Sequence, residues 1–189
     1  GTKLMLSIVS TPIGNLEDMS LRAIRTLKEA DFIVSEDTRH SGILLKKYEI
    51  AAPQLSFHSH SPESQLIKII GLLGEGKNIG LITDAGTPGI SDPGYLLIRT
   101  AIDAGIPVTA IPGPSAVMNA LVLSGLPFHR FTFLGFLPLK KGRKTMIESL
   151  KATPYTTVFY EAPHRIQRVL QEILEILGDR QVAVCREMT

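Results

Sequence analysis

Short apolar runs alternate with helix-like segments over residues 1–125, and this alternation most constrains the fold. Five runs have the length and composition of buried strands: residues 4–9, 31–34, 55–58, 79–83 and 108–111. Strands that are separated by helices pair in parallel, because a parallel connection needs a long crossover. The sequence therefore predicts an α/β fold with a mainly parallel five-stranded sheet flanked by helices.

A break near residues 126–129 separates this pattern from a second, shorter one. We therefore predict an N-terminal α/β domain at 1–125 and a C-terminal α/β domain at 126–189. The second domain has three strand-like runs, the last from Gln181, and two helix-like segments. Such a set leaves a sheet edge and a sheet face uncovered, so we expect the second domain to be incomplete and the chain truncated.

Composition is that of an ordinary globular protein, with 44% hydrophobic and 20% charged residues among 189. The lone Cys185 excludes an intramolecular disulfide framework and fits a reducing interior. No apolar stretch reaches membrane length, and the N-terminus is too short for a signal peptide. We expect a cytoplasmic protein that does not bind a membrane.

Positive charge is concentrated in the C-terminal part. Residues 1–125 hold 10 Lys/Arg and 12 Asp/Glu, a net of −2, and residues 126–189 hold 10 and 6, a net of +4. The densest run lies at residues 140–144, where Lys140, Lys141, Arg143 and Lys144 follow one another closely. Such a run is suited to contact with phosphates, although short basic loops are often only solvated.

Several familiar sites are excluded by spacing or context. Residues 10–15 lack the three-glycine dinucleotide fingerprint. Residues 71–77 have the glycine spacing of a phosphate loop, but they follow a predicted helix and precede a strand, whereas a phosphate loop follows a strand and precedes a helix. His58 and His60 have no further ligands in a recognisable pattern, so we predict no metal site. Hydrolase chemistry has no support, since the chain lacks a Gly-x-Ser-x-Gly elbow.

Four loops follow predicted strands, at residues 10–15, 35–41, 84–94 and 112–116. The carboxyl ends of parallel strands share one edge of the sheet, where ligands bind in open α/β folds. Glycines in the third loop allow a ligand close to the main chain, and its prolines set the loop's shape in advance. The second loop concentrates acids and a guanidinium, which favours a functional role over a structural turn.

Five motifs taken together resemble one family, the ribosomal RNA small subunit methyltransferase I group, which is similar in fold to the tetrapyrrole methylases. They occupy residues 11–16, 35–39, 84–94, 112–116 and 160–165. The resemblance implies a tetrapyrrole-methylase-like fold with a cofactor cleft between two domains. Two departures are Ser10, where the family commonly has glycine, and the end of the chain at Thr189, past which family members continue.

The same resemblance implies an enzyme that uses S-adenosylmethionine to methylate the 2′-oxygen of a cytidine in small-subunit (16S) ribosomal RNA, near the decoding centre. The RNA partner is expected within the assembled 30S subunit, and the enzyme is expected to be a homodimer. Candidate cofactor-binding residues are Pro12, Asp84, Gly86, Thr87, Ile90, Ser115 and Ala116.

Catalysis of this reaction needs a proton acceptor for the 2′-hydroxyl, and Glu36 and Asp37 are the candidates. Arg39 is a candidate anchor for a phosphate. The spacing alone does not separate a base from a structural carboxylate. RNA backbone contacts are predicted for Lys140, Lys141, Arg143, Lys144 and Arg165.

Two alternative functions stay open at this point. A methyltransferase that acts on a small tetrapyrrole would share the cofactor loops but would need an apolar trough for its substrate. A non-catalytic RNA-binding module would keep the basic surface and bind no cofactor. The basic run at residues 140–144 favours an RNA substrate over a tetrapyrrole.

Overall fold

The computed structural model describes residues 5–90 and 92–189. Their contacts divide the chain into two compact units, the first ending at Ser115 and the second running from Ala116 to Met188. The domain boundary predicted from the sequence lies after residue 125. Residues 116–125 therefore belong to the predicted first domain but to the second compact unit of the structure.

The first unit contains the predicted five-stranded sheet, and every pair of neighbouring strands is parallel. The strand order is β3-β2-β4-β1-β5. The strands are β1 (Leu6–Val9), β2 (Phe32–Ser35), β3 (Gln54–Ser56), β4 (Ile79–Leu81) and β5 (Val108–Ile111). The α/β class and the parallel sheet predicted from the alternation are thus confirmed.

Helices cover both faces of this sheet. They are α1 (Leu21–Glu29), α2 (Thr38–Lys47), α3 (Glu63–Gly74) and α4 (Gly94–Asp103). One apolar cluster joins α1 and α2 to the sheet through Leu27 and Leu44. A second joins α3 and α4 through Ile69 and Leu97. Burial on both faces accounts for the mainly apolar composition of β1, β2 and β4.

Local signals fix the helix ends. The Ser20 side chain accepts a hydrogen bond from the Ala23 N–H at 3.0 Å and caps α1. Helix α3 begins at Glu63, directly after Pro62. Gly80 in the middle of β4 allows α1 to approach, because a Cβ there would lie only 2.8 Å from Leu27 Cδ2.

The strand order creates a topological switch point between β1 and β4. From β1 the chain passes over β4 to reach β2, and from β4 it passes over β1 to reach β5. The connecting helices α1 and α4 therefore lie on opposite faces, and the two strand ends separate into a crevice. Open α/β folds bind ligands at such a crevice.

The second unit begins with α5 (Ala116–Leu123) and contains a two-stranded parallel sheet. Its strands are β6 (Phe131–Phe136) and β7 (Thr156–Tyr160), and its other helices are α6 (Arg143–Ser149) and α7 (Ile166–Leu177). Short 3-10 helices lie at Leu150–Ala152 and Pro163–Arg165. Ile147 of α6 and Val169 and Ile173 of α7 form its buried core.

The predicted third strand of this unit, from Gln181, is wrong. Residues 181–189 have no regular secondary structure. An isolated strand is unstable without a hydrogen-bonded neighbour, and in the described chain β7 pairs only with β6. Among the described residues, no helix is long and apolar enough to cross a membrane.

Candidate functional site

The predicted ligand loops lie at the carboxyl-end edge of the N-terminal sheet, since all five strands run in the same direction. Hydrogen bonds join the loop after β1 to the loop after β4. Thr11 and Gly86 exchange two backbone hydrogen bonds, each of 3.0 Å. The Thr11 hydroxyl also donates to the Thr83 carbonyl at 3.1 Å. These hydrogen bonds hold the loop after β1 and the loop after β4 together before any ligand binds.

Side chains strengthen the same junction. The Ser10 and Thr87 hydroxyls lie 2.8 Å apart and share a hydrogen bond. The loop after β5 packs against Ser10, because a Cβ added at Gly113 would lie 2.7 Å from Ser10 Cβ. Glycine is therefore required at position 113 for the loop at residues 112–116 to come this close to Ser10. Ser10, the departure from the family pattern, is buried and hydrogen-bonded here.

The loop over residues 84–94 is held from within by Asp92. Its Oδ1 accepts hydrogen bonds from the N–H groups of Gly89, at 2.9 Å, and Gly94, at 2.8 Å. Asp92 was not among the predicted site residues, although an Asp-Pro-Gly run before a helix is a turn signal. Ser91 lies outside the described residues. Ile90 is 55% exposed, so its side chain is accessible to a ligand.

The loop after β2 separates its two candidate bases. Asp37 is the N-cap of α2, and its Oδ1 accepts from the N–H groups of Arg39 at 2.9 Å and His40 at 3.3 Å. Glu36 is half-buried and has no such capping role. Burial, followed by the charges of Asp84 and Asp92, raises the pKa of Glu36 above its ordinary value of 4.5. Glu36 is thus the candidate that is not committed to capping α2.

His40 joins this loop to the loop after β4 and was missed as a site residue. Its Nε2 lies 3.2 Å from the Asp84 carbonyl oxygen. The sequence does contain a signal for His40. This histidine stands in the first turn of α2, directly after the acidic pair Glu36 and Asp37 that follows β2. Arg39 is exposed on the same turn.

A cavity of about 330 Å³ lies between these loops and α2, and we call it the switch-point cavity. Three segments line it: residues 11–16, residues of α2 from His40 to Leu44, and residues 82–85. Of the predicted cofactor residues, Pro12 and Asp84 line this cavity. Gly86, Thr87, Ile90 and Ser115 belong to the adjoining loops, and Ala116 begins α5 in the second unit.

The basic run in the second unit divides into exposed and buried members. Lys140, Lys141 and Lys144 are exposed. Arg143 is buried, with 8% of its side chain exposed, so its prediction as a phosphate contact is wrong. A run of basic residues in a sequence does not show which of its side chains face the core and which face solvent.

Arg143 is held by four oxygen atoms. It donates to both carboxylate oxygens of Glu172, at 2.8 and 3.1 Å, and to the Pro138 carbonyl at 3.1 Å. Its Nη2 lies 3.7 Å from Glu161, whose other oxygen accepts from Arg165 Nε at 3.0 Å. Arg165, predicted to bind RNA, is therefore ion-paired, with 31% of its side chain exposed.

This buried network shifts the proton equilibria of its members. The hydrogen bond from Arg143 lowers the pKa of Glu172. Burial alone would raise the pKa of Glu161, but hydrogen bonds from Arg165 and the Ala162 N–H and the charges of both arginines lower it overall. The network holds the basic loop, the end of β7 and α7 together. Within the described chain, no group of three or more His, Cys, Asp or Glu side chains is placed to hold a metal.

The sequence profile of the tetrapyrrole (corrin/porphyrin) methylases matches residues 5–189. The chain belongs to this family. It is 51% identical over 185 residues to the ribosomal RNA small subunit methyltransferase I of Halalkalibacterium halodurans, covering 97% of this chain and 64% of that protein. It is 48% identical to the protein of that name in Thermotoga maritima, covering 97% and 83%. Within the tetrapyrrole methylases, it belongs to the ribosomal RNA small subunit methyltransferase I group.

The chain spans less than two thirds of several of these relatives, 64% of the Halalkalibacterium protein and 65% of the one from Escherichia coli O157:H7. Solved structures share the fold at low identity. A cobalt precorrin-4 methyltransferase has a TM-score of 0.68 at 16% identity, covering 92% of this chain and 75% of that one. The uroporphyrin-III-C-methyltransferase of Thermus thermophilus has a TM-score of 0.61 at 21% identity, covering 92% and 74%.

The buried network makes Arg143 a stability residue. Arg143→Met leaves the carboxylates of Glu161 and Glu172 without their central cation, and it should lower the free energy of unfolding of the second unit by about 3–5 kcal/mol. Amide hydrogen exchange in α7 reports this loss within that unit. The matched control is Lys144→Met, because Lys144 is 79% exposed and lies 4.0 Å from its partner Glu148. Equal protection of α7 in both variants would contradict the assignment.

Proposed function

We propose that this protein is an S-adenosylmethionine-dependent methyltransferase that methylates the 2′-oxygen of a cytidine ribose in small-subunit (16S) ribosomal RNA, near the decoding centre. One observation supports it above the others: the paired Thr11–Gly86 junction at the carboxyl-end edge of the sheet, in a chain of this family. The names of the relatives supply the substrate class. The assembled 30S subunit as substrate, a homodimeric state and a cytoplasmic location belong to the same proposal and rest on the family resemblance.

The loops suit a cationic cofactor. Residues 10–16, 84–94 and 112–116 contain no Lys or Arg, and Asp84 and Asp92 stand in the second of these loops. Glycines bring backbone polar groups to the surface, and Ile90 adds an exposed apolar side chain. When bound, S-adenosylmethionine supplies a methyl group on a positively charged sulfur. We assign its binding to Pro12, Asp84, Gly86, Thr87, Ile90, Ser115 and Ala116.

Glu36 is the proposed proton acceptor for the ribose 2′-hydroxyl. Its raised pKa makes the carboxylate a stronger base than an exposed glutamate, whereas Asp37 is engaged in capping α2. Residues that hold the ribose 2′-oxygen in position would supply much of the acceleration, up to about 7–11 kcal/mol for well-positioned groups. Arg39, exposed beside Asp37, is the proposed phosphate anchor.

The proposed RNA contacts are the exposed lysines Lys140, Lys141 and Lys144, with Arg165 at the edge of the buried network. They follow β6 and β7, whose parallel pairing brings both carboxyl ends to one edge of the second sheet. Such cations contact phosphates and do not read sequence. Arg143 takes no part in this surface.

Transfer of labelled methyl groups tests the function directly. We expect transfer from S-adenosylmethionine to isolated small ribosomal subunits, with the label recovered in a 2′-O-methylcytidine. Transfer to a tetrapyrrole precursor alone would establish the alternative substrate. Absence of cofactor binding in calorimetry, with binding to small subunits retained, would favour a non-catalytic RNA-binding module.

Thr87→Arg tests the cofactor loop. The substitution places bulk and a cation where a sulfonium is proposed to bind, so we expect cofactor binding to be lost in calorimetry. Thr100→Arg on α4 adds the same side chain outside the loop and should bind normally. Thr87→Ser keeps the hydroxyl that bonds Ser10 and should also bind. Unchanged affinity in Thr87→Arg would remove this loop from the cofactor site.

Glu36 predicts a pH dependence. A general base acts only when deprotonated, so the rate of methyl transfer should increase with pH through an inflection above 4.5, the ordinary glutamate value. Glu36→Gln should lower kcat by about 10²–10⁴-fold and remove that inflection. Glu63→Gln, at the exposed start of α3, is the control. Glu36→Gln with the wild-type rate and pH profile would refute the assignment.

The lysine surface predicts a salt dependence. Changing Lys140, Lys141 and Lys144 together to Gln should weaken binding of small subunits. It should also reduce the slope of log K against log salt by up to about 2, since each phosphate contact contributes about 0.7–0.9. Cofactor affinity should not change. The control removes three exposed lysines of the first unit, Lys28, Lys68 and Lys77; equal slopes in the two triple variants would argue against the proposed contacts.

A further inference from the structure

The switch-point cavity has the size and the composition of a small-ligand site. Its volume of about 330 Å³ falls within the range of small-molecule pockets. Apolar side chains of Pro12, Ile13 and Ile43 line it together with the polar residues Asn15 and His40. Five of the seven proposed cofactor residues do not line it, so the cofactor proposal leaves most of this space unassigned.

The cavity is built before any ligand binds. It lies where β1 and β4 lead to helices on opposite faces, the position at which open α/β sheets bind ligands. The Thr11–Gly86 hydrogen bonds fix the two loops, and the contact of His40 Nε2 with the Asp84 carbonyl fixes α2 against them. A preformed pocket binds with little ordering cost.

The charges around the cavity select the kind of ligand. Among the residues that the structure describes, no Lys or Arg lines it, whereas Asp84 does, and Asp84 and Asp92 act electrostatically on the nearby Glu36. Such a site disfavours a phosphate and favours a neutral ring that carries N–H donors. A nucleobase with an exocyclic amino group meets this description, since carboxylate and carbonyl oxygens accept hydrogen bonds from it.

We propose that the switch-point cavity receives the base of the nucleotide whose ribose is methylated, after that base has left its stack. This inference rests on the proposed function. Pro12, Ile13 and Ile43 pack against the faces of the base, and His40 and Asp84 lie beside its polar edge. Enzymes that do chemistry on a base hold it unstacked between aromatic or apolar side chains, and we propose the same arrangement here for the base that adjoins the reacting ribose. The attached ribose is then held at the strand edge that carries Glu36.

Ile43→Trp tests the cavity. Ile43 lines the cavity and is 62% exposed, so a larger side chain there occupies the space without disturbing the core. Ile67→Trp is the matched control, because Ile67 is 64% exposed on α3 and lies outside the cavity. Circular dichroism and thermal melting verify that both variants fold. A second variant, His40→Ala, removes one of the two polar groups at that edge without adding bulk.

We expect KM for small ribosomal subunits to rise by about tenfold or more in Ile43→Trp, as for the loss of one stacked base, and to rise in His40→Ala as well. The Kd for S-adenosylmethionine should stay within about twofold of the wild type, a change of roughly 0.4 kcal/mol. A large rise in cofactor Kd would overturn the proposal by making the cavity part of the cofactor site. Unchanged KM in both variants, with an active wild type, would overturn it and leave the proposed function standing. A wild type that methylates no small subunit would refute the proposed function and this inference together.

Discussion

The parallel pairing of β1 with β4 is the constraint on which the candidate site depends. Leu6, Ser7 and Ile8 of β1 pair with Ile79, Gly80 and Leu81 of β4, so the two strands end side by side. Their following loops then meet and exchange the Thr11–Gly86 hydrogen bonds. Because α1 and α4 lie on opposite faces, the chain leaves an opening at this point instead of packing over it. The position of the ligand loops and the presence of the cavity therefore both follow from the strand order of the sheet.

The second unit reaches a comparable order by a different route. Its sheet has only two strands, and a buried guanidinium links the segments around it. Arg143 satisfies Glu172 with two hydrogen bonds and Pro138 with a third, so its own burial is compensated. Glu161 connects the same cluster to Arg165. The exposed lysines of the basic loop are thus anchored by a charged residue that does not itself face solvent.

Sequence periodicity was sufficient for the first sheet, since five short apolar runs between helices allow few other arrangements. It was insufficient for residues from Gln181 onward, because an apolar run becomes a strand only beside a partner. The motifs selected the loops that carry Glu36 and Thr87, but local pattern did not separate the capping carboxylate of Asp37 from a free one. Arg143 was misassigned for a related reason: its burial depends on Glu161 and Glu172, both distant in sequence. Both wrong predictions concern segments whose structure depends on tertiary partners, and a single sequence does not show those partners.

Gly80 makes the sheet locally thin beneath α1. Leu27 occupies the space that a side chain at Gly80 would otherwise fill, so the Leu27 side chain packs directly against the backbone of β4. Close-packed interiors transmit displacement with little loss. A side chain at position 80 would therefore push α1 away from β4, the strand that leads into Asp84, so the ligand edge depends on a residue that touches no ligand.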